Sequence, residues 1–323
     1  MPKLLVTGVG SNIGQGILKS LADANIRGEI VGTDVYRYAA GSAWCDKTYT
    51  VPFAKDPEFI PAFIRILQKH GSELVLIGSE METHVLSHAR ARIESETKAK
   101  IVVSDGAMID VVGDKYGITQ LFKKANLNYP DSSIDMAARR EFVKKHRYPI
   151  IIKPRLGWSA RSVIKLEEDE PLDFYSKHIP NPVLQEYLEG DEFTVAIVFD
   201  RDGVYRDHVV MRRDLLNGTT YRAEVVLRPD IDSYISAFAN SVKLRGSVNI
   251  QLRVTPRGPV AFEMNPRFSG TTGIRMKAGF NDVAAVVRNF LDGAPIVKMN
   301  PRCVRVLRYW EEVVVEDGDP RFS

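Results

Sequence analysis

At 323 residues, with 44% hydrophobic and 26% charged side chains well mixed and a formal net charge of +3, the chain has room for about two or three domains and a substantial core. That balance gives no argument for nucleic acid or membrane binding, and no apolar run approaches the length needed to span a bilayer. Two cysteines far apart, Cys45 and Cys303, fit no metal or redox spacing; with an amino terminus that enters a strand directly, they predict a cytosolic protein.

Residues 3–7 form a short apolar run ending in Gly8-Val9-Gly10-Ser11-Asn12-Ile13-Gly14, and an amphipathic stretch from Gln15 to Ala24 predicts a helix. Strands follow near 29–33, 49–51, 73–77 and 101–103, alternating with helices over 57–69 and 80–96 and a short one after Asp105. Such alternation predicts a parallel, doubly wound sheet. The glycines invite a dinucleotide reading with Asp34 as the ribose acid, but the spacing is Gly-x-Gly-x-x-x-Gly, one residue longer than the usual fingerprint. A tight strand-to-helix turn, with Ser11 and Asn12 as caps, explains them better. His84 and His88 lie four apart on one helical face with Glu82 nearby, yet no third ligand stands at a recognisable spacing, so they define no zinc site.

After Gly113 the character changes. Asp114-Lys115 opens a helical pattern that closes near Pro130, a helix over 136–145 follows, and Tyr148 to Arg155 is a strand that delivers Lys153 at its end. That lysine is either the snorkelling end of a core strand or a positioned cation. The loop 156–162, with Ser159 and Ser162, has the small residues and hydroxyls that suit backbone amides wrapped over phosphate oxygens; as a plain hairpin turn it would be pinned by Trp158. Strands over 183–188, 192–199, 204–211 and 220–227, a helix over 230–244 and a hairpin over 247–267 predict a second half of antiparallel sheet with helices on one side. A small-residue loop at 268–275, a helix over 282–291 and a strand over 303–309 complete the chain.

The hairpin carries the densest chemistry. Val248, Ile250, Leu252 and Val254, then Val260, Phe262 and Met264, alternate with period two and make one oily face. If the chain folds about Arg257, Gln251 faces Glu263, Asn249 faces Asn265 and Arg253 faces Ala261, with opposed Cβ atoms roughly 4.5 to 5.5 Å apart. Gln251, Glu263 and Asn265 then present hard oxygen donors to one object, a set suited to Mg²⁺. Taken alone, the stretch is equally an ordinary hairpin with one face in water.

Four separated pieces occur in one order: Gly-Asp-Lys at 113–115, Ile-Ile-Lys-Pro at 151–154 with its loop, Gln-Glu-Tyr-Leu-Glu-Gly-Asp-Glu-Phe-Thr-Val at 185–195, and Gln251 followed by Phe-Glu-Met-Asn-Pro-Arg at 262–267. This order resembles the ATP-grasp superfamily, most closely the large subunit of carbamoyl phosphate synthetase and its single-copy relatives. The resemblance implies α/β plus α+β architecture: a Rossmann-like pre-ATP-grasp domain at 1–112, a small ATP-grasp lobe at 113–182 and a C-terminal lobe at 183–323. It implies that Lys115 and Lys153 contact ATP phosphates, with Ser159 in the phosphate loop. Gln185, Glu186, Tyr187 and Leu188 match the hinge that receives adenine, and Glu192 the acid that holds the ribose. Gln251, Glu263 and Asn265 match the ligands of Mg²⁺ or Mn²⁺, and Arg267 the arginine that steadies the transferring phosphoryl group. Arg275, with Thr271 and Thr272, is the expected substrate contact; the plainer reading of Arg275 is a surface charge on a helix.

The loop at 156–162 has one glycine where many members have several, which puts its closure over phosphate in doubt. The synthetase holds two copies of the unit and relies on a glutaminase, so carbamoyl phosphate synthesis does not follow. The expected function is ATP-dependent joining of a small-molecule carboxylate and an amine through an acyl phosphate, in a cytoplasmic protein that the resemblance allows to be a homodimer. The alternatives are a nucleotide-binding regulator without turnover, which would have no need of Arg267, and an oxidoreductase binding NAD(P) at Gly8–Gly14.

Overall fold

The computed structural model describes residues 1–157, 163–169, 171–216, 218–316, 318, 319 and 321. The first sheet is built from β1 (Lys3–Thr7), β2 (Glu29–Asp34), β3 (Lys47–Thr50), β4 (Leu74–Leu76) and β5 (Lys100–Ile101), interleaved with α1 (Asn12–Asp23), α2 (Phe59–His70) and α3 (Glu80–Glu96). All its pairings are parallel, in the order β3-β2-β1-β4-β5. Leu4 and Val6 enter one core and Leu5 another, so β1 is buried on both faces, as the doubly wound reading requires. The strand order reverses beside β1, which opens a crevice at the carboxyl ends of β1 and β4.

The glycine turn after β1 is closed upon itself. Ser11 Oγ caps α1 by accepting from the amides of Ile13 and Gly14 at 3.2 and 2.9 Å, which starts the helix three residues before the expected Gln15. Asp34 accepts from the amides of Gly10 (2.8 Å) and Tyr36 (3.0 Å), so its carboxylate folds the turn. A Cβ on Gly14 would stand 2.3 Å from the Gly8 carbonyl oxygen, contact that only glycine permits. These roles leave the dinucleotide reading without its ribose acid.

Two helices, α4 (Gly106–Gly113) and α5 (Gly117–Lys124), link this domain to the rest. Ile109 belongs to the N-terminal core, whereas Val112, Ile118 and Phe122 pack with the last and largest sheet. The small lobe consists of β6 (Ser132–Ser133), α6 (Arg139–His146), β7 (Ile150–Pro154), β8 (Ile164–Leu166), α7 (Leu172–His178) and β9 (Pro182–Glu186), with an antiparallel sheet in the order β6-β9-β7-β8. β9 pairs with β7 and so belongs to this sheet.

The large lobe contains β10 (Asp191–Phe199), β11 (Tyr205–Leu216), β12 (Thr219–Val225), α8 (Pro229–Ser241), β13 (Gly246–Thr255), β14 (Gly258–Asn265), α9 (Thr272–Lys277), α10 (Asp282–Asp292) and β15 (Arg305–Leu307). Its six strands run antiparallel in the order β14-β13-β10-β11-β12-β15. Phe193, Val195, Ile197, Ile250 and Leu252 pack under α5 and α8. From the other face Ala196, Val198 and Met211 join α10 and the β1–α1 side of the first domain in one continuous core. The N-terminal domain is thereby welded to the large lobe, while the small lobe keeps a separate core around Phe142, Ile150, Ile152 and Leu184.

Candidate active site

Opposed residues on β13 and β14 place the central carboxylate. Asn249 pairs with Asn265 and Gln251 with Glu263, as the alternation predicts. Beyond Gln251 the register slips: Leu252 pairs with Ala261, Arg253 with Val260 and Thr255 with Gly258, leaving Phe262 as the extra residue of a β-bulge. The expected Arg253–Ala261 pair is therefore corrected, and Ala261 rather than Phe262 enters the core beside Ile250 and Leu252. The amide of Ala261 donates to the Tyr234 hydroxyl at 3.1 Å, so α8 supplies the acceptor where the ladder is interrupted.

Glu263 is a shared acceptor. Its Oε1 receives Gln251 Nε2 at 3.3 Å and Asn265 Nδ2 at 3.2 Å. The amide oxygens of both neighbours turn to guanidinium groups: Gln251 Oε1 accepts from Arg213 Nη2 at 2.7 Å, and Asn265 Oδ1 from Arg267 Nη2 at 3.3 Å. Gln251 thus stands as a bridge between Arg213 and Glu263. The carboxylate of Glu263 and the amide groups of Gln251 and Asn265 are the donor types a hard divalent cation takes, with the amide NH2 groups facing Glu263 here and both amide oxygens turned to guanidinium groups.

Two lysines approach from elsewhere in the fold. Lys153, 4% exposed at the end of β7, donates to Gln185 Oε1 at 2.9 Å, and burial pushes its ammonium down to about 8 against the pull of Glu263. Lys115, between α4 and α5, donates to the Gly157 carbonyl; burial lowers it too, opposed by Glu263, Glu80 and Asp114. Its backbone amide donates to the Arg155 carbonyl at 3.0 Å, and Arg155 Nε donates to Asp114 Oδ1 at 3.1 Å, which pins this junction to β7. Both lysines are held by neutral oxygens, an arrangement that leaves their charge for a ligand.

The connection between the lobes is equally constrained. Gln185 is buried and spans Lys153 and Ser132 Oγ (3.0 Å). Glu186 accepts from the Asp131 amide at 2.7 Å and from Arg257. Tyr187 and Leu188 cross to β10, with the Tyr187 ring beside Lys165 and Arg253. Gly190 has φ +124°, and a Cβ there would fall 1.9 Å from the Val254 carbonyl oxygen. Glu192 receives Arg213 and Arg253, each at 3.3 Å, and Arg253 also donates to the Leu188 carbonyl at 3.1 Å. Ser159, with the rest of 158–162, lies outside the described residues.

Arg267 reaches across the domain junction. Its Nη2 lies 2.6 Å from Glu80 Oε2, its Nη1 donates to the Phe268 carbonyl at 2.9 Å, and its buried Nε has no partner among the described residues. Glu80 opens α3 at the carboxyl end of β4. Next to it Glu82 is buried, pushed up to about 7 by desolvation and Asp34 against hydrogen bonds from Thr7 and Ser79. Sequence reasoning does not bring Glu80, Glu82 or Arg213 to this site; it places Glu82 only beside His84 and His88. The rule that open α/β sheets bind ligands beyond their strand ends at a switch point would have found the two acids.

Arg275 corrects both of its expected readings. It is 0% exposed and gives all its donors to the protein: Nε and Nη2 to Asp282 at 2.9 and 2.7 Å, Nη1 to Ser269 and Thr271 at 3.0 and 3.2 Å, Nη2 also to Ser247 at 3.1 Å. It is neither a surface charge nor a substrate contact, because a guanidinium has five N–H groups and these contacts use them. Thr271 and Thr272 are buried in the same knot, and Thr272 begins α9 where a loop was expected.

Known proteins share this architecture and these segments. Residues 178–312 match a family model described as ATP-grasp in the biosynthetic pathway with Ter operon, and residues 4–101 match one described as PylC-like, N-terminal domain. The family match over residues 178–312 and the shared fold agree in making this chain similar to ATP-grasp proteins. Among curated relatives, the carbamoyl phosphate synthase large chain of Thermoanaerobacter sp. (strain X514) is 23% identical over 307 residues, covering 86% of this chain and 28% of the relative. That of Clostridium botulinum (strain Loch Maree / Type A3) is 22% identical, covering 99% of this chain and 32% of the relative. The chain therefore spans less than a third of the length of these relatives. Among solved structures, N5-carboxyaminoimidazole synthetase from Staphylococcus aureus superposes with TM-score 0.73 at 13% identity over 93% of this chain and 80% of that one. The biotin carboxylase domain dimer of Hydrogenobacter thermophilus 2-oxoglutarate carboxylase, in complex with MgADP, ADP and bicarbonate, gives 0.71 at 15% over 90% and 70%. Among the described residues no helix is long and apolar enough to cross a membrane.

Proposed function

We propose that this chain is an ADP-forming ligase that joins a small-molecule carboxylate to an amine. The carrying observation is the convergence of Glu263, Lys115, Lys153 and Arg267 where the three parts of the chain meet. Phosphoryl transfer asks a protein mainly for alignment and charge neutralisation, and these residues supply both. A carboxylate oxygen of the substrate attacks the γ-phosphorus of ATP and the bond to ADP breaks; the amine nitrogen then attacks the acyl carbon, forming the C–N bond and losing a proton as the C–O bond breaks and inorganic phosphate leaves.

Lys115 and Lys153 hold the phosphate oxygens, Glu192 the ribose, and the 185–188 crossing the adenine; Arg267 steadies the transferring phosphoryl. Gln251, Glu263 and Asn265 would hold Mg²⁺ or Mn²⁺ once the amide oxygens of Gln251 and Asn265 turn from Arg213 and Arg267, and the ion would neutralise phosphate charge. Glu80 holds the same guanidinium at 2.6 Å and so orients Arg267 from the N-terminal domain. The use of Arg267 and Glu263 in one connected network favours turnover over the nucleotide-binding regulator. We place the protein in the cytoplasm and extend the proposal to a homodimer, for which the dimeric biotin carboxylase domain is the support.

The test is an ADP-release screen over pairs of amino acids, sugar acids and small amines. ADP formation that requires both partners and is lost in Glu263→Ala is the expected result; acid- and amine-dependent ADP formation that survives this substitution would sink the assigned site.

A further inference from the structure

On sequence, His84 and His88 lacked a third ligand; the fold supplies one. α4 lies against the outer side of α3, and Asp110 Oδ1 stands 3.0 Å from His84 Nε2 and 3.0 Å from His88 Nε2. All three ligand atoms lie within 4.8 Å of one another. An ion bound at ~2.0 to 2.2 Å by nitrogen and carboxylate oxygen needs neighbouring donors about 3.0 to 3.4 Å apart, which is the His–Asp spacing already present. The rings tilt toward each other with centroids 4.8 Å apart. Gly106, at the start of α4, makes room for this: a Cβ there would fall 2.7 Å from His88 Nδ1.

We propose that His84, His88 and Asp110 form a three-ligand site for a borderline divalent transition-metal ion, Zn²⁺ or Ni²⁺. Two imidazole nitrogens and one carboxylate oxygen select such ions over Mg²⁺, which separates this site chemically from the oxygen set at Glu263. The side chains are 59%, 47% and 49% exposed, so water completes the coordination sphere. The site acts as a staple. It ties α3, whose first residue Glu80 holds Arg267, to α4, which ends just before Lys115 and whose Ile109 and Val112 sit in different cores. Metal uptake therefore stiffens the junction between the N-terminal domain and the large lobe.

The test uses the full chain without a polyhistidine tag, titrated with ZnCl₂ and NiCl₂ by calorimetry and melted with and without Zn²⁺. The expected result is one equivalent of uptake in the native chain that is missing in the double variant His84→Gln/His88→Gln and in Asp110→Asn but kept in Glu263→Ala. A rise of several degrees in the melting midpoint with Zn²⁺, reversed by a chelator, should accompany it and vanish in the same variants. Since the three side chains are surface groups, the metal-free variants should melt close to the native chain, so loss of uptake reports the ligands themselves. Equal Zn²⁺ uptake by the native chain and the double histidine variant overturns the proposal, as does uptake lost only in Glu263→Ala. The readouts are independent of the ligase reading, which can fail without affecting them.

Discussion

Two polar clusters flank the end of β14, and they have opposite finish. Around Arg275 each donor of a fully buried guanidinium has a home, with Asp282, Ser269, Thr271 and Ser247 closing the knot. Around Glu263 the ionic groups are left short: Arg267 Nε and Arg213 Nε are buried without partners among the described residues, and Lys153 is held in a desolvated position by an amide oxygen. A satisfied network rigidifies a fold, whereas an unfinished one costs stability unless a ligand completes it. The same residue type eight positions apart is thus fully satisfied at 275 and left with an unpartnered Nε among the described residues at 267, within the proposed site.

Substitutions should separate the two clusters cleanly. Glu263→Ala should lower ADP formation by on the order of 10³-fold while leaving the unfolding midpoint nearly unchanged, as expected when charge stabilisation at a transferring phosphoryl is removed. Arg275→Ala should do the reverse, stranding Asp282 and costing about 3 to 5 kcal/mol of stability in urea unfolding. Arg267→Ala belongs with Glu263: a large fall in kcat with a stability change of about 1 kcal/mol or less. If Arg267→Ala unfolds the protein as readily as Arg275→Ala, the distinction between the clusters collapses.

The difference was only half legible in the sequence. Strand alternation placed Gln251 opposite Glu263 because period two is a local property of the chain. The bulge at Phe262 was not legible, since its stabilising partner, the Tyr234 hydroxyl, comes from α8, 27 residues upstream. The fate of Arg275 likewise depends on Ser247, 28 residues away across the sheet. Membership of β9 in the small lobe is decided by pairing with β7, which local pattern does not encode. Local periodicity carried the elements and one face of the site, while contacts distant in sequence decided which charged residues were spent on structure.

The lysine end of the unfinished cluster gives a pH test. Lys153 titrates near 8 because burial disfavours its charged form. Raising pH through that value removes the proton and with it the proposed phosphate contact, so kcat/KM for ATP, which reports the free enzyme, should fall about tenfold per pH unit above 8. Folding stability should move the other way. The unfolded lysine holds its proton to about 10.5, so between the two values the unfolded chain binds more protons and Lys153 contributes increasing stability as pH rises. Lys153→Arg should displace the kinetic limb to higher pH; a limb that stays at 8 belongs to another group.

Arg213 offers the smallest and sharpest comparison, because it touches both kinds of function. It holds Gln251 Oε1 at 2.7 Å and Glu192 at 3.3 Å, yet its Nε has no partner among the described residues. If it belongs to the unfinished cluster, Arg213→Gln should raise KM for ATP by roughly tenfold, the worth of one charge-assisted hydrogen bond, through the loosened Glu192, with kcat changed by less than about threefold. A structural arginine would behave otherwise: the unfolding midpoint would drop and KM would stay put. Steady-state kinetics in ATP beside urea unfolding of the same variant decides between them, and a KM left unchanged moves Arg213 into the company of Arg275.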